Sequence, residues 1–442
     1  MSYPIDPAST EDALGMLREQ GIRYLHLHFI DILGRLKTVE VPESGFERAL
    51  SGEVTFVGGA LHGAARGDED ELRLVPDLDT LRRVPWSDPA APMAQAICNV
   101  HRMDGTSYEG DPRGSLRRTL DGLAEAELDA RIGIDIEFFL LDGTPAAATP
   151  RPGAGLLEHD PNDAGERARR EIVGALTALG IEVESARRGE APFQHQVTLA
   201  AESPLVAADA VECLRLAARA IAPRHGVRAS FMPKPMPGFN GSAMHLRHAL
   251  YRDEQNIFAD GEAMDGLSQT LRHYVGGLLA HARGSCAITN PLVNSYKRLV
   301  SEGEPVSVAW STQGSAPMIR VPAERGEATH CEVRTPDPCA NPYLTMAVQL
   351  AAGMEGLASE ADPGSPLNKS VRGLSERERR RLHVGALPTT LGEALTALEH
   401  DRTVRSVLGE LIYAHFTEAK HAEFDEYLAT VHPWELERYL EW

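Results

Sequence analysis

Two carboxylates stand two residues apart in an otherwise apolar stretch, Gly133-Ile-Asp135-Ile-Glu137-Phe-Phe. Residues at positions i and i+2 of a β-strand project to the same face of a sheet. An unpaired buried charge is costly, so these acids need either a divalent cation, which prefers hard oxygen ligands, or a buried basic partner. The residues alone leave a metal site and a buried salt bridge equally open for Asp135 and Glu137.

Further segments carry polar residues of the kinds that bind metals or anions. They are Phe231-Met-Pro-Lys-Pro235, Asn240-Gly-Ser-Ala-Met-His245, Asn294-Ser-Tyr-Lys-Arg-Leu299, Ile319-Arg320-Val-Pro322 and Cys331-Glu332-Val-Arg334-Thr-Pro-Asp-Pro338. In the last segment, Glu332 and Arg334 share one face of a predicted strand. Together the segments supply carboxylates and a histidine for a metal ion, and arginines for anionic oxygens.

The elements that must position these residues follow from the periodicity of the sequence. A strand over residues 132–141 carries both acids. Helices are predicted over residues 114–128, 163–180, 205–224, 268–283, 340–358 and from 388 onwards. Before them, a short helix and a hairpin of strands over 22–30 and 35–41 predict a smaller α+β unit. The helix start at Asp111 places a domain boundary near residue 108.

The composition limits the class of protein. At 442 residues the chain is long enough for two domains, and its formal net charge of −20 argues against a nucleic-acid partner. Five scattered cysteines without metal-ligand spacing are typical of reduced thiols. No uncharged apolar run approaches about 18 residues, and the first residues do not have the pattern of a signal peptide. We therefore expect a cytoplasmic protein without a membrane partner.

The order and wording of these segments resemble a known family. GxxxEFF, FMPKP, NGSxMH, NSYKRL, IRxP and ExRxPDPxANPYL follow one another as in glutamine synthetase of class I. The chain is most similar to the branch that includes γ-glutamylpolyamine and other γ-glutamylamide synthetases, and its C-terminal WELERYL fits that branch. The resemblance runs from about residue 20 to the C-terminus, so chance similarity is very unlikely.

The resemblance implies an α+β fold in two parts. An N-terminal β-grasp domain would span residues 1–108, and a catalytic domain, an antiparallel half-barrel with helices, residues 109–442. Hexameric or dodecameric rings with active sites between neighbouring subunits are also implied. The implied enzyme is an ATP-dependent amide ligase that uses Mg²⁺ or Mn²⁺. Glutamate's side-chain carboxylate attacks the γ-phosphate of ATP, and an amine then displaces phosphate from the acyl phosphate.

Residue roles follow from the resemblance, motif by motif. It assigns three residues to the metal that bridges the ATP phosphates: Asp135, His245 and Glu332. It assigns four residues to the amino-acid substrate: Asn240, Gly241, Arg298 and Arg334. Glu137 would belong to a second metal, Arg320 would face the transferred phosphate, and Glu304 matches the catalytic glutamate of the family's flap.

The second-metal segment departs from the family pattern. HHEVAPGQHE appears here as Arg187-Arg-Gly-Glu-Ala-Pro-Phe-Gln-His-Gln196, so that Gly189 and Gln196 stand in place of two carboxylates. Glu190 lies one residue away and would have to shift register to substitute. In the family pattern, five carboxylates surround two divalent ions, and their charges sum to −5 + 4 = −1. In this chain the three acids Asp135, Glu137 and Glu332 reach the same net charge with one divalent ion, −3 + 2 = −1. The count predicts one stably bound divalent ion.

The amine site departs as well. The aspartate of the family's FDGS motif, which helps to bind and deprotonate ammonium, is Val57, and the arginine of NRSA is missing from Gln313-Gly-Ser-Ala316. An apolar wall at Val57 favours a larger or less basic amine. We predict a ligase that joins the side-chain carboxylate of glutamate, or of a related acid, to an amine other than ammonia. The alternative is a diverged paralogue without ligase activity that senses nucleotides or has a structural role.

Overall fold

A computed structural model of the chain describes residues 9–60, 71–142, 155–301, 304–313, 317–368, 376–382 and 384–442. The described strands form one six-stranded sheet, one nine-stranded sheet and two short strand pairs. The six-stranded sheet lies in the N-terminal part of the chain, and the nine-stranded sheet lies in the larger part that follows. The α+β class predicted from the sequence is confirmed.

The N-terminal sheet has two helices beside it. Its strands are β1 (Tyr24–Ile30), β2 (Leu36–Pro42), β3 (Val54–Val57), β4 (Glu71–Pro76), β5 (Arg82–Arg83) and β6 (Met93–Arg102), and its helices are α1 (Thr10–Glu19) and α2 (Phe46–Leu50). The strand order is β2-β1-β6-β4-β3, with β5 on β6. Ser9 caps α1 by accepting the Asp12 N–H, and β1 and β2 form the predicted hairpin.

The larger part follows with many short strands. They are β7 (Asp129–Leu141), β8 (Val183–Arg188), β9 (Gln194–Glu202), β10 (Arg228–Ser230), β11 (Met244–Arg252), β12 (Gln255–Asn256), β13 (Val300–Ser301), β14 (Glu304–Pro305), β15 (Ser307–Val308), β16 (Trp310–Ser311), β17 (Ile319–Arg320), β18 (Cys331–Val333) and β19 (Gly385–Ala386). The nine-stranded sheet has the order β16-β17-β18-β11-β7-β9-β8, with β10 on β7 and β12 on β11. All its pairings are antiparallel except that of β16 with β17.

The helices of the larger part match most of the predicted ranges. They are α3 (Pro112–Glu125), α4 (Ala164–Ala178), α5 (Pro204–Ile221), α6 (Gln269–Ala280), α7 (Ala282–Thr289), α8 (Val293–Leu299), α9 (Pro342–Ala358), α10 (Glu376–Arg381), α11 (Leu391–His400), α12 (Arg402–Ala429) and α13 (Pro433–Tyr439). The single helix predicted over 268–283 is instead two, because the chain breaks at His281, whose ring bonds to Asp401 and Glu355. Among the described residues, every helix is too short or too polar to cross a membrane.

The two faces of the nine-stranded sheet differ in polarity. Ile132, Ile134 and Ile136 of β7 are fully buried in one core together with residues of α3, α5 and α9. Asp135 and Glu137 alternate with them and therefore project from the opposite face. The helices thus cover the apolar face, and the polar face is left for the side chains that could do chemistry.

A buried arginine joins the two parts of the chain. Arg113 on α3 is 3% exposed, and its guanidinium donates to Asp209 on α5 through Nε (3.1 Å) and Nη2 (2.7 Å). It also reaches the N-terminal part, where Nη1 donates to Asn99 Oδ1 at 2.7 Å and Nη2 to Asp77 Oδ2 at 2.8 Å. Tyr343 Oη on α9 donates to Asp209 Oδ1 at 2.6 Å. This network fixes how the two parts meet.

We predict that Arg113→Ala lowers the free energy of unfolding by about 3–5 kcal/mol, because it leaves the buried Asp209 carboxylate without its cation. Arg117→Ala is the matched control. Arg117 donates to the same Asp77 at 2.7 Å, but 44% of its side chain is exposed, and such a pair contributes about 0–1 kcal/mol. Urea denaturation followed by circular dichroism measures both variants. Equal losses for the two would contradict this role of Arg113.

Candidate active site and metal centre

The candidate site lies on the polar face of the nine-stranded sheet. The register places Asp135 of β7 opposite His245 of β11 and Arg320 of β17 opposite Glu332 of β18. Because β18 pairs directly with β11, these four residues from distant segments meet on adjacent strands. The structure thus brings together side chains that the sequence places in four separate motifs.

Asp135, His245 and Glu332 form a compact cluster. Each offers one ligand atom, and the three atoms lie within 4.8 Å of one another. His245 Nδ1 is 2.8 Å from Glu332 Oε1, while Asp135 Oδ1 is buried without a hydrogen-bond partner among the described residues. A buried acceptor without a donor is unusual and needs an explanation. One nitrogen and two carboxylate ligands fit a divalent cation such as Mg²⁺ or Mn²⁺.

The Glu332 carboxyl is held in its charged form. Burial raises the pKa of Glu332, but the hydrogen bond with His245 and the charges of His245, Arg334 and Arg320 outweigh burial and bring the pKa to about 2. Arg334 Nε lies 3.5 Å from Glu332 Oε1, and Arg320 Nη1 lies 3.9 Å from Oε2. A metal ligand must be deprotonated, so Glu332 is ready to bind a cation at neutral pH.

Glu137 lies beside the cluster that the described residues form, not within it. Its Oε2 accepts the backbone N–H of Ala243 at 2.9 Å and the side-chain amide of Gln194 at 3.3 Å. Gln194 also donates to the carbonyl oxygen of Gly241 at 3.0 Å. Glu137 therefore fixes the loop that leads into β11, in addition to any role toward a ligand.

Gly241 lies where any side chain would clash with neighbouring atoms. A Cβ at this position would overlap the carbonyl oxygen of Pro233 and lie 2.9 Å from Cγ of Arg298. Its neighbour Asn240 is exposed, and Asn240 Nδ2 donates to Glu190 Oε2 at 2.5 Å. The structure therefore places Glu190 beside the Gly241 loop, and it is not one of the three residues of the metal cluster.

Arg298 is oriented by a buried acid. Its Nε donates to Asp337 Oδ1 at 2.9 Å, and its Nη2 donates to Asn290 Oδ1 at 2.9 Å and to the carbonyl oxygen of Thr335. Burial raises the pKa of the fully buried Asp337, and the Arg298 guanidinium opposes that shift. Among the described residues, Nη1 of Arg298 has no acceptor. One edge of the guanidinium is fixed, and the other is left for a ligand.

Sequence reasoning missed Asp337 and Gln194, which position Arg298 and the Gly241 loop. The available signal for Asp337 was its place in the segment 331–338, which also carries Glu332 and Arg334. The side chain of Glu304 and residues 314–316 lie outside the described part of the chain.

The chain is similar to known proteins over almost its whole length. The model of the glutamine synthetase catalytic domain matches residues 109–439, and that of the glutamine synthetase beta-Grasp domain matches residues 21–103. Glutamine synthetase of Thermus thermophilus is 43% identical over 438 residues, covering 97% of this chain and 98% of the relative. Glutamine synthetase of Clostridium saccharobutylicum is 38% identical over 434 residues, with 97% and 98% covered.

Solved structures give the same picture. A GmaS/ADP complex has a TM-score of 0.86 and 28% identity, and apo GmaS without ligand has a TM-score of 0.86 and 29% identity. Each comparison covers 97% of this chain and 99% of the other. Together with the two matched domains, they confirm the predicted arrangement of a β-grasp domain followed by a catalytic domain with a curled sheet.

We predict that Gly241→Ala costs about 1–3 kcal/mol of stability, because the added Cβ must displace Pro233 or Arg298. Gly261→Ala is the control, since nothing lies within 4 Å of a Cβ there. Without that crowding, the change should be neutral or stabilise by about 0.4–1 kcal/mol. Thermal denaturation compares the two variants with the parent. A Gly241→Ala protein as stable as the Gly261→Ala protein would show that the close approach is not required.

Proposed function

The chain belongs to the glutamine synthetase family, and on that premise we propose that it joins the side-chain carboxylate of glutamate, or of a related acid, to an amine other than ammonia. As a member of the family it is an ATP-dependent carbon–nitrogen ligase that uses Mg²⁺ or Mn²⁺. The alternative of a paralogue without ligase activity is set aside for that reason.

The proposed choice of amine rests on the residue at position 57, which is Val57. It ends β3, is 57% exposed, and stands where the family's FDGS motif has its aspartate. A carboxylate there would attract an ammonium ion and help to take its proton, and a valine does neither. GmaS, a gamma-glutamylmethylamide synthetase, has a similar fold, which supports the proposal. The curated relatives are named glutamine synthetase, so ammonia is the competing substrate.

The acid substrate would lie between the Gly241 loop and two arginines. Arg298 presents its unbonded Nη1, and Arg334 lies on the same polar face beside the metal cluster. A guanidinium binds a carboxylate with charge-assisted hydrogen bonds, which suits an α-carboxylate. The Asn240 side chain and the Gly241 backbone would complete the contacts.

The metal would be bound by Asp135, His245 and Glu332, and when bound it supplies positive charge for the ATP phosphates. A carboxylate oxygen of the acid attacks the γ-phosphorus, and ADP leaves as the bond to its oxygen breaks. Arg320 would stabilise charge on the transferred phosphoryl group. The amine nitrogen then attacks the acyl carbon, phosphate leaves, and the amine loses a proton, for which Glu304 is the proposed acceptor.

A complete site would need a neighbouring copy of the chain. Val57 is exposed at the end of β3, which is consistent with a contact made by another subunit. We therefore propose rings in which residues 50–66 meet the neighbour's catalytic domain, although residues 61–66 lie outside the described ranges. We also propose a domain boundary at residue 108 and a cytoplasmic location, for which the five free cysteines are suited.

We predict that an alkylamine or polyamine supports phosphate release from ATP and glutamate at least about tenfold faster than ammonium does, since a lost general base costs about 10²–10⁴-fold. Val57→Asp should raise the rate with ammonium. Thr55→Asp adds the same charge on the same face of β3 and should not. Phosphate release and product mass, measured over a panel of amines, test this. Ammonium as the best substrate of the parent would overturn the proposal.

We predict that removing Arg298 weakens binding of the acid by about 1.5–3 kcal/mol, through loss of a charge-assisted hydrogen bond. Arg298→Ala alone would leave Asp337 buried without its partner. The Arg298→Ala change is therefore made in a protein that already carries Asp337→Asn, and the double variant is compared with the Asp337→Asn single variant. Arg334→Ala should have an effect of similar size. Lys297→Ala is the control, since its ammonium lies over the Tyr427 ring, 5.4 Å from the centroid.

The measurements are the KM for glutamate at saturating ATP and the affinity for ADP by calorimetry. The KM should rise in the Arg298 and Arg334 variants, while the affinity for ADP changes little. An unchanged KM in either variant would show that its assigned role is wrong.

A further inference from the structure

A second group of polar side chains lies next to the metal cluster on the same face of the sheet. The register places Arg187 of β8 opposite Gln196 of β9, and Gln196 opposite Glu137 of β7. Asp135 of the cluster is two residues from Glu137 and shares its face. The row formed by Arg187, Gln196 and Glu137 therefore borders the metal cluster across three adjacent strands.

The guanidinium of Arg187 is oriented by the Gln196 amide. Arg187 Nε and Nη2 both donate to Gln196 Oε1, at 3.2 and 2.9 Å. Gln196 is 6% exposed, so its amide is fixed by packing, whereas Arg187 is exposed toward the open side of the sheet. Among the described residues, Arg187 makes no other hydrogen bond. Its remaining N–H groups are available to a ligand.

The side chains present here do not fit a second divalent ion. Gln196 Oε1 already accepts two hydrogen bonds, and the amide nitrogen cannot bind a cation. Gly189 has no side chain, Glu190 is bonded to Asn240, and Oε2 of Glu137 accepts a backbone N–H. Hard cations need several oxygen ligands, which this row does not supply.

We propose that the Arg187 guanidinium is the second cation of this active site, a fixed organic charge where a divalent ion would otherwise be required. It offsets the charge of Glu137 and donates hydrogen bonds to phosphate or carboxylate oxygens of the bound substrates. The planar fork of arginine suits such oxygens. The assignment of substrate oxygens to Arg187 rests on the proposed function. The predicted number of bound metal ions does not depend on that function.

The charge count supports this assignment. Asp135, Glu137 and Glu332 contribute −3, one divalent ion contributes +2 and Arg187 contributes +1, so these groups sum to −3 + 2 + 1 = 0. Arg320 and Arg334, which lie 3.9 and 3.5 Å from Glu332, add further positive charge. A second divalent ion would bring the sum to +2. Like charges close together in a partly buried site repel one another, so Arg187 disfavours a second ion as well as replacing it.

Metal stoichiometry tests the proposal without reference to turnover. Equilibrium dialysis against Mn²⁺, with elemental analysis of the protein, should give one tightly bound ion per subunit in the parent. Gln196→Glu should still bind one ion, because the new carboxylate pairs with Arg187. Gln196→Glu combined with Arg187→Ala should bind two, since the carboxylate then has no resident cation. Two tight ions in the parent, two in Gln196→Glu alone, or one in the double variant would overturn the proposal.

Binding of a non-hydrolysable ATP analogue together with glutamate, in the presence of Mn²⁺, supplies a second readout. Arg187→Met should weaken that binding about tenfold or more, since it removes charge-assisted hydrogen bonds. Arg187→Lys keeps the charge and should recover part of the affinity. Unchanged affinity in Arg187→Met would contradict a contact with substrate. A failed search for the amine would leave both measurements intact, so failure of the proposed function and failure of this inference are distinguishable.

Discussion

The two-residue period of β7 is the constraint on which the rest of the site depends. Ile132, Ile134 and Ile136 are fully buried on one face, which leaves Asp135 and Glu137 no choice but the other. A slip of one residue would place two carboxylates in the hydrocarbon core and three isoleucines in the site, at a cost the fold could not absorb. Hydrophobic burial on one side of the sheet therefore orients the candidate metal-binding side chains on the other side.

Local features of the sequence predicted much of this arrangement, and pairings between distant segments account for what was missed. The period of β7, the cap of α1 and the hairpin of β1 and β2 are local, and the structure has all three. The hydrogen bond between Arg298 and Asp337 joins residues 39 apart in the sequence, and no periodicity predicts that pairing. At the break between α6 and α7, the His281 ring likewise contacts acids from distant segments, Asp401 and Glu355.

On the polar face, several charged groups have a neighbour of opposite sign or a hydrogen-bond donor. His245 pairs with Glu332, Arg298 with Asp337, and Glu137 accepts a backbone N–H. Such pairing keeps the site folded before ligands arrive, when several charges close together would otherwise repel or be desolvated. Asp135 Oδ1 is buried without a hydrogen-bond partner among the described residues, and it lies where the three candidate ligand atoms converge.

The Arg113 network has a consequence for symmetry. In the proposed ring, each copy offers its N-terminal part to the catalytic part of the next, a head-to-tail contact that closes only if the rotation from copy to copy is constant. That rotation depends on two angles. One is the angle between the two parts of a single chain, and the other is the angle at which the N-terminal part of one copy meets the catalytic part of the next. Because Arg113 fixes the first of these, it would set the curvature of the proposed ring, and a change of a few degrees there would add at every copy around the circle.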